Sequence, residues 1–321
     1  MVEAPTVNPK CLLCDSPKTG HFLDSRDHVT GETFGLQKCD DCGFVFTWPQ
    51  PADLSRYYGP FYRQYSSGSA GILQKLQQRR TRAWTRALGK PGRCLEIGCG
   101  NGWILAALRD QGWRGVGAER TADSARFARH QLGLPMFVGP LDAVRHGADF
   151  DLIVLHQVLE HLPDPMATLR HCARLLRPGG TLIVAVPNLA SWQFRFAREH
   201  WLHLDVPRHL GHFTPACLRS ALATVNLEVV HENYVSWEYD PFGWVESVLN
   251  KMGFPMNSLL RILQHDPSLR KRPVTMGCAL TVAGLLAIPT ALMATASWIF
   301  HRGAIMELRA RKCPAGSAVS E

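Results

Sequence analysis

Charged residues are scarce in this chain of 321 residues. They make up 19% of the sequence, whereas 46% is hydrophobic, and this balance excludes an intrinsically disordered protein. Acidic residues are the scarcer sign, 27 against 35 basic ones, with a formal net charge of +8. A basic balance favours anionic partners such as phosphorylated metabolites, RNA or an acidic membrane surface. Charge alone does not choose among them.

The first ten residues, MVEAPTVNPK, lack the apolar run of a secretory signal peptide. We therefore expect a cytoplasmic protein whose ten cysteines bind metal or lie buried as thiols. Two Cys-x-x-Cys pairs, with 24 residues between them, have the spacing of metal ligands: Cys11, Cys14, Cys39 and Cys42. Four thiolates would close a tetrahedron around one structural Zn²⁺. Redox-active disulfides are the alternative, but no thioredoxin-like βαβ pattern surrounds the pairs.

Residues 1–50 are thus predicted to form a zinc ribbon, with GETFGLQKC and GFVFTWP as short strands. Residues 51–90 are predicted to form a connector and a basic helix. Tyr57, Tyr58 and Tyr62 either line a ligand pocket or pack against the next domain. The helix expected from Ile72 to Leu88 has either a solvated basic face or a phosphate-binding one, and its basic residues are Lys75, Arg79, Arg80, Arg82 and Arg86.

From Arg93 onward, short apolar strands alternate with amphipathic helices, which predicts a doubly wound α/β sheet. The first strand runs into a glycine turn, Gly98-Cys99-Gly100-Asn101-Gly102. A dinucleotide fingerprint would need a glycine at Trp103, so the spacing favours S-adenosylmethionine over NAD. Glu119 ends the second strand, where a carboxylate can accept both ribose hydroxyls of a nucleoside.

The segments LEIGCGNG, FDLIVLHQVLEHLPDP and LLRPGGTLIVAVPN resemble motif I and the fourth- and fifth-strand regions of class I S-adenosylmethionine-dependent methyltransferases. The resemblance covers roughly residues 90–235, and the front cysteines extend it to Cys11. It implies a seven-stranded Rossmann-like sheet and a cofactor site. The implied cofactor-binding residues are Glu96, Gly98, Cys99, Gly100, Gly102, Glu119, His156 and Gln157, with Asp142 standing in for an acid that the family places where Pro140 occurs.

The segment Asp205–Thr214 is similar to the Glu-His-Leu segment of zinc-ribbon nucleotide-sugar C-methyltransferases, whose histidine acts as a base. The resemblance places His209 in the base position, although Arg208 replaces the glutamate and departs from the sugar-methylating pattern. His156, beside the cofactor, is the second catalytic candidate. The structural alternative is a turn in which Arg208 pairs with Asp205 and Thr214 caps the helix PACLRSALATV.

Residues 274–300 contain no charge and have basic flanks at Arg270, Lys271, Arg272 and Arg302. Their length matches a transmembrane helix. However, GAIMELRARK at 303–312 is predicted as the seventh strand of the sheet, so both ends of the segment belong to one domain. Pro289 predicts a break. We therefore expect a helical hairpin that covers the core, caps a hydrophobic substrate or dips into the inner leaflet as a peripheral membrane contact.

The remaining predicted boundaries are a methyltransferase core at 91–240, an apolar substrate segment at 241–302, and a last strand and tail at 303–321. The leading hypothesis is an enzyme that methylates a small or lipid-linked metabolite at oxygen or carbon, as in glycan, lipid or quinone-type biosynthesis. RNA methylation is the alternative, although the chain has no Asn/Asp-Pro-Pro-aromatic motif after HQVLEH. A non-catalytic membrane-associated adaptor is the third hypothesis.

Overall fold

A computed structural model describes residues 9–58, 67–144, 149–264, 266, 269 and 272–314. Tyr62, Arg270 and Lys271 lie outside these residues. The strands within them are β1 (Thr19–Arg26), β2 (Thr33–Cys39), β3 (Val45–Thr47), β4 (Arg93–Ile97), β5 (Arg114–Glu119), β6 (Met136–Val138), β7 (Phe150–His156), β8 (Leu176–Pro187), β9 (Gly211–His212), β10 (Leu227–Asn233) and β11 (Ile305–Lys312).

Among the described residues, the α-helices lie before and between the strands of the large sheet. They are α1 (Ser67–Leu88), α2 (Trp103–Arg109), α3 (Ala122–His130), α4 (Pro165–Leu175), α5 (Trp192–Ala197), α6 (Pro215–Thr224), α7 (Asp240–Lys251), α8 (Ser258–Leu263) and α9 (Pro273–Ile299). The predicted cap of α6 is present, since Thr214 caps it through its side chain, and Thr121 caps α3 in the same way. The basic helix α1 ends at Leu88 as predicted but begins at Ser67 rather than Ile72.

The large sheet has seven strands in the order β10-β11-β8-β7-β4-β5-β6. β4 to β8 run parallel, and β11 is antiparallel between β8 and β10. The predicted doubly wound sheet and its inserted last strand are thereby confirmed. Both faces are covered, because Ile153 and Leu155 of β7 pack into one apolar cluster and Leu152 and Val154 into another. Such two-sided burial explains the uninterrupted apolar strands.

The front module is a second sheet, in the order β1-β2-β3-β9. The predicted strands β2 and β3 are present, and β1 is an addition that the sequence analysis missed. Its fourth strand, β9, is distant in the sequence, since Val45 and Phe46 pair with His212 and Gly211. The ribbon is therefore joined through backbone hydrogen bonds to the loop that carries His209.

The predicted helical hairpin is wrong, because α9 is one helix that continues through Pro289. Proline removes one backbone N–H from a helix, so the carbonyl of Leu285, four residues earlier, loses its helical donor. The helix nevertheless continues, and the Thr290 hydroxyl donates to the carbonyls of Leu286 at 2.7 Å and Ala287 at 3.2 Å. The helix is long and apolar enough to cross a membrane.

Candidate functional site

The glycine turn after β4 has a backbone that other residues adopt only with strain. Gly98, Gly100 and Gly102 have φ values of +66°, +53° and +72°. A Cβ on Gly98 would lie 2.6 Å from Cγ2 of Val158, and one on Gly102 would lie 2.7 Å from Cδ1 of Leu134. The turn therefore needs glycine for its conformation and for the close approach of neighbouring side chains.

Glu119, the last residue of β5, lies beside this turn as expected from the parallel pairing of β4 with β5. Its Oε1 accepts a hydrogen bond from the backbone N–H of Gly100 at 2.6 Å. The side chain is buried. Cys99 is also buried, with its Sγ 3.8 Å from Sδ of Met136. The structure thus brings the predicted acid and glycine turn together.

Glu96 lies just before the turn, in β4, and is almost fully buried. Burial raises the pKa of its carboxyl to about 8. Its Oε2 has no hydrogen-bond partner among the described residues. A buried acceptor of this kind, at the carboxyl end of a central strand, fits a ligand that brings its own hydrogen-bond donor.

The residues after β7 approach the same edge of the sheet. His156 ends the strand, and burial together with the charge of Arg80 holds its pKa well below the usual value, so the imidazole is neutral. Gln157 has φ +56° and donates its backbone N–H to the carbonyl of Ala185 at 2.8 Å. Asp142 lies in an exposed turn after β6, and no contact joins it to the glycine turn among the described residues.

The loop that carries His209 is buried. His209 Nδ1 lies 2.9 Å from the carbonyl of His203. Because a carbonyl only accepts, this contact assigns the proton to Nδ1 and leaves Nε2 as the acceptor. Ligand atoms of Glu160, His161 and His209 all lie within 4.8 Å of one another. The sequence analysis gave Glu160 no role; its only signal was its place next to His161.

The histidines of this loop are held neutral. Burial lowers the pKa of His209, although the charge of Asp205 opposes the shift. Burial and the neighbouring His209 lower the pKa values of His203 and His212 to about 3. His209 therefore has the protonation state that a proton acceptor needs at neutral pH.

Arg208 has no exposed surface and joins the loop to the ribbon. The predicted pair with Asp205 is confirmed, with Nε and Nη2 at 2.9 and 2.6 Å from one carboxylate oxygen. Arg208 also contacts Asp27 at 2.8 Å and His28 Nδ1 at 2.8 Å. Its Nη1 donates to the carbonyl of Tyr57 at 2.6 Å. The sequence analysis missed Asp27 and His28, which lie about 180 residues away along the chain.

Tyr57 of the connector packs on the ribbon rather than on the next domain. It is buried, with its ring edge-on to Phe34 of β2 and its hydroxyl donating to Glu32 at 2.9 Å.

The basic residues of α1 divide into one that is paired and four that are exposed. Arg80 turns inward and pairs with Glu238 at 3.0 Å. Its other basic residues form a solvent-exposed face, at Lys75, Arg79, Arg82 and Arg86.

The four cysteines of the ribbon converge. The Sγ atoms of Cys11 and Cys42 are 3.6 Å apart, as are those of Cys14 and Cys39, and all four lie within 4.8 Å of one another. Disulfide sulfurs are separated by about 2.05 Å, whereas thiolates around a tetrahedral zinc ion are about 3.8 Å apart. The arrangement therefore fits a metal ion better than a disulfide.

The central part of the chain is similar to known proteins. Residues 70–232 match the model of the family described as Methyltransferase domain. The chain is similar to ubiquinone biosynthesis O-methyltransferases from Xanthomonas campestris pv. campestris, 34% identical over 154 residues, and Idiomarina loihiensis, 28% identical over 152. Each match covers 43% of this chain and 64% or 63% of the relative, respectively.

Among solved structures, an S-adenosylmethionine-dependent methyltransferase from Archaeoglobus fulgidus aligns with a TM-score of 0.46 at 15% identity. The alignment covers 74% of this chain and 94% of that one. The family model matches more than half of the present chain. This chain belongs to the methyltransferase domain family.

Proposed function

We propose that the enzyme methylates a hydroxyl oxygen of a small, apolar acceptor of the phenol or quinol type, free or lipid-linked. The observation that supports it most directly is the buried, neutral His209 with its Nε2 unprotonated, since a hydroxyl must lose its proton when it is methylated. The acceptor class is taken from the ubiquinone biosynthesis relatives, of whose length the chain matches less than two thirds.

The residues around the glycine turn fit S-adenosylmethionine, which supplies a methyl group on a sulfonium. In this proposal, Glu96 accepts a hydrogen bond from the cofactor through its Oε2. The turn of Gly98, Cys99, Gly100 and Gly102 permits close approach of the backbone. Glu119 accepts from the ribose hydroxyls. Contacts to the adenine part come from the residues that follow β6 and β7, namely Asp142, His156 and Gln157.

His209 takes the proton in the proposed reaction. The acceptor oxygen forms a bond to the methyl carbon, the bond from that carbon to sulfur breaks, and the hydroxyl proton moves to Nε2 of His209. The carbonyl of His203 holds the Nδ1 proton, which fixes the ring and its tautomer. Glu160 lies close enough to stabilise the imidazolium once it forms. His156 remains the second candidate for the base.

We also propose that Cys11, Cys14, Cys39 and Cys42 hold a structural Zn²⁺. The sulfur separations support this assignment, and four thiolates leave no open position for a substrate. The ion would hold the ends of β2 and the loop before β1 together.

The experiment follows transfer of labelled methyl from S-adenosylmethionine to a catechol, to a prenylated quinol precursor and to total RNA. We expect label in the phenolic acceptors, and more in the prenylated one. His209→Asn should lower kcat at least a hundredfold with unchanged cofactor affinity, whereas the exposed His231 provides a matched control as His231→Asn. Phenolic acceptors that stay unlabelled would refute the acceptor proposal.

RNA methylation has one observation in its favour, the exposed basic face of α1. Label in ribonuclease-sensitive material, lost when Arg79 and Arg82 are replaced by glutamine, would establish it instead. The two results are distinguishable because ribonuclease releases label from RNA and does not act on the phenolic acceptors.

A further inference from the structure

On α9, the usual distribution of apolar residues between the buried and the exposed side is reversed. An ordinary surface helix buries its large apolar side chains and exposes polar ones. In α9 the buried side consists mainly of small or polar residues, such as Ala279, Thr290, Ala294 and Ser297. The exposed side carries large apolar residues, which are Val274, Leu280, Leu285, Ile288, Leu292, Met293 and Ile299.

The exposed side forms one continuous apolar surface. No residue from Pro273 to Ile299 is charged, and 27 residues of helix extend about 40 Å. With the width of a helix, the surface is on the order of 400 Å². A patch of this size is comparable to the largest apolar patch of an ordinary monomer, and such patches are often functional. Leu285 and Ile288, at its middle, are 74% and 75% exposed.

The way α9 is attached excludes a single crossing of a bilayer. β10 precedes the helix and β11 follows it, and these strands are neighbours in one sheet. The buried residues of α9 lie toward its two ends, at Met276 and Ala279 and again from Thr290 to Trp298. Trp298 packs in a cluster with Trp244 of α7, and its indole N–H donates to Asp240. A helix held to its own domain toward both ends lies parallel to any membrane that it meets.

The ends of α9 fit an anionic membrane surface. Arg272 and Arg302 flank the helix and are exposed, in a chain whose net charge is +8. Beside the C-terminal end, Trp237 and Phe300 are also exposed, and the Trp237 ring centroid lies 4.6 Å from that of Trp298. Arginine at the headgroups and aromatic rings at the boundary with the acyl chains are the usual anchors of an interfacial helix.

We infer that α9 is a membrane-docking surface that lies in the plane of one anionic leaflet, with the face around Leu285 and Ile288 in the acyl region. Apolar burial supplies the attachment, and the arginines select negatively charged lipid. The inference does not depend on the acceptor proposed above, because it rests on α9 alone.

Vesicle flotation of the full chain tests the inference. We expect binding to vesicles that contain phosphatidylglycerol, and weaker binding to phosphatidylcholine alone. The L285E/I288E variant should bind the anionic vesicles roughly tenfold more weakly or worse, since two large apolar side chains no longer enter the acyl region. The matched control is F127E/V230E, two exposed apolar positions on α3 and β10, which should bind like the parent chain.

Both variants alter exposed side chains, and an unchanged thermal midpoint and S-adenosylmethionine affinity verify that they are folded. Equal binding of L285E/I288E and the parent chain would overturn the inference. The inference would also be overturned if the parent chain does not bind anionic vesicles but forms a dimer, and the L285E/I288E variant is monomeric. The apolar surface would then bind a second copy of the chain. Resistance to extraction from vesicles by alkaline carbonate would contradict in-plane attachment.

Discussion

Replacing Arg208 with methionine should destabilise the folded protein more than any surface change. The guanidinium has no exposed surface and lies 2.6 Å from Asp205 and 2.8 Å from Asp27. The Asp27 side chain is itself fully buried. Methionine fills similar space but leaves two buried carboxylates without their cation, and removal of one partner from such a pair costs about 3–5 kcal/mol.

The lost donor to the Tyr57 carbonyl adds about 1 kcal/mol, so we expect the free energy of unfolding to fall by about 4–6 kcal/mol. Part of this deficit should disappear in acid. In the parent protein burial alone would raise the pKa of Asp205, but the charge of Arg208 holds it well below its usual value. Stability from that ionised carboxylate is present above the unfolded pKa, near 3.9, and is lost only below it. Without the guanidinium, burial raises this pKa, and protonation of Asp205 in mild acid relieves the unpaired charge.

Urea unfolding of the parent and Arg208→Met chains at neutral and mildly acidic pH measures both effects. The unfolded-state titration of the histidines is common to the two chains and cancels in the difference. Folded His28 does not cancel, because Arg208 lowers its pKa whereas Asp205 and Asp27 raise it, so protonation of His28 in Arg208→Met adds to the recovery in acid. Adding Asp27→Asn should recover part of the loss, because it neutralises one unpaired carboxylate. A loss below about 1 kcal/mol, within the range of an exposed ion pair, would refute the reasoning, as would a deficit that grows in acid.

Three further predictions concern the site. Gly98→Ala should weaken S-adenosylmethionine binding about tenfold or more in calorimetry, because its Cβ meets Val158 and its φ is +66°; Gly20→Ala, with open space around it, should not. The acid limb of the pH profile of kcat/KM should lie below 6.5, because burial lowers the pKa of His209 and only the neutral ring accepts a proton; a limb at or above 6.5 would exclude this base. Cys39→Ser should reduce bound zinc to far below one ion per chain by elemental analysis, and full occupancy would remove the ribbon assignment.

The sequence predicted the sheet and the cofactor side of the site because both depend on local patterns. Strand, glycine turn and helix follow one another within a few residues, and parallel pairing of β4 with β5 brings Glu119 to Gly100. Thr121 and Thr214 cap their helices through residues three positions away. Each of these features is encoded by neighbours in the chain, so periodicity and spacing suffice to identify it.

Long-range contacts could not be predicted in the same way. The pairing of Asp27 with Arg208 and the addition of β9 to the ribbon sheet join segments separated by more than 160 residues. A single sequence has no periodicity that relates them. The helix through Pro289 was mispredicted for a different reason. The rule that proline ends a helix is too strict here, because Pro289 removes only the one hydrogen bond to the Leu285 carbonyl and α9 continues past it.

The ribbon and the proposed cofactor residues contact different parts of the chain, so loss of the ribbon structure should affect the His209 loop and the cofactor residues differently. The ribbon contacts the His209 loop directly, since Thr47 donates its hydroxyl to the His209 carbonyl at 2.9 Å and its N–H to the Leu210 carbonyl at 3.0 Å. The glycine turn and Glu119 belong instead to β4 and β5 of the large sheet. Loss of the metal should therefore displace the proposed base while leaving the cofactor residues in place. It follows that kcat should fall before affinity for S-adenosylmethionine does. The proposed zinc site would then have a catalytic consequence, although four thiolates leave no ligand position for the substrate.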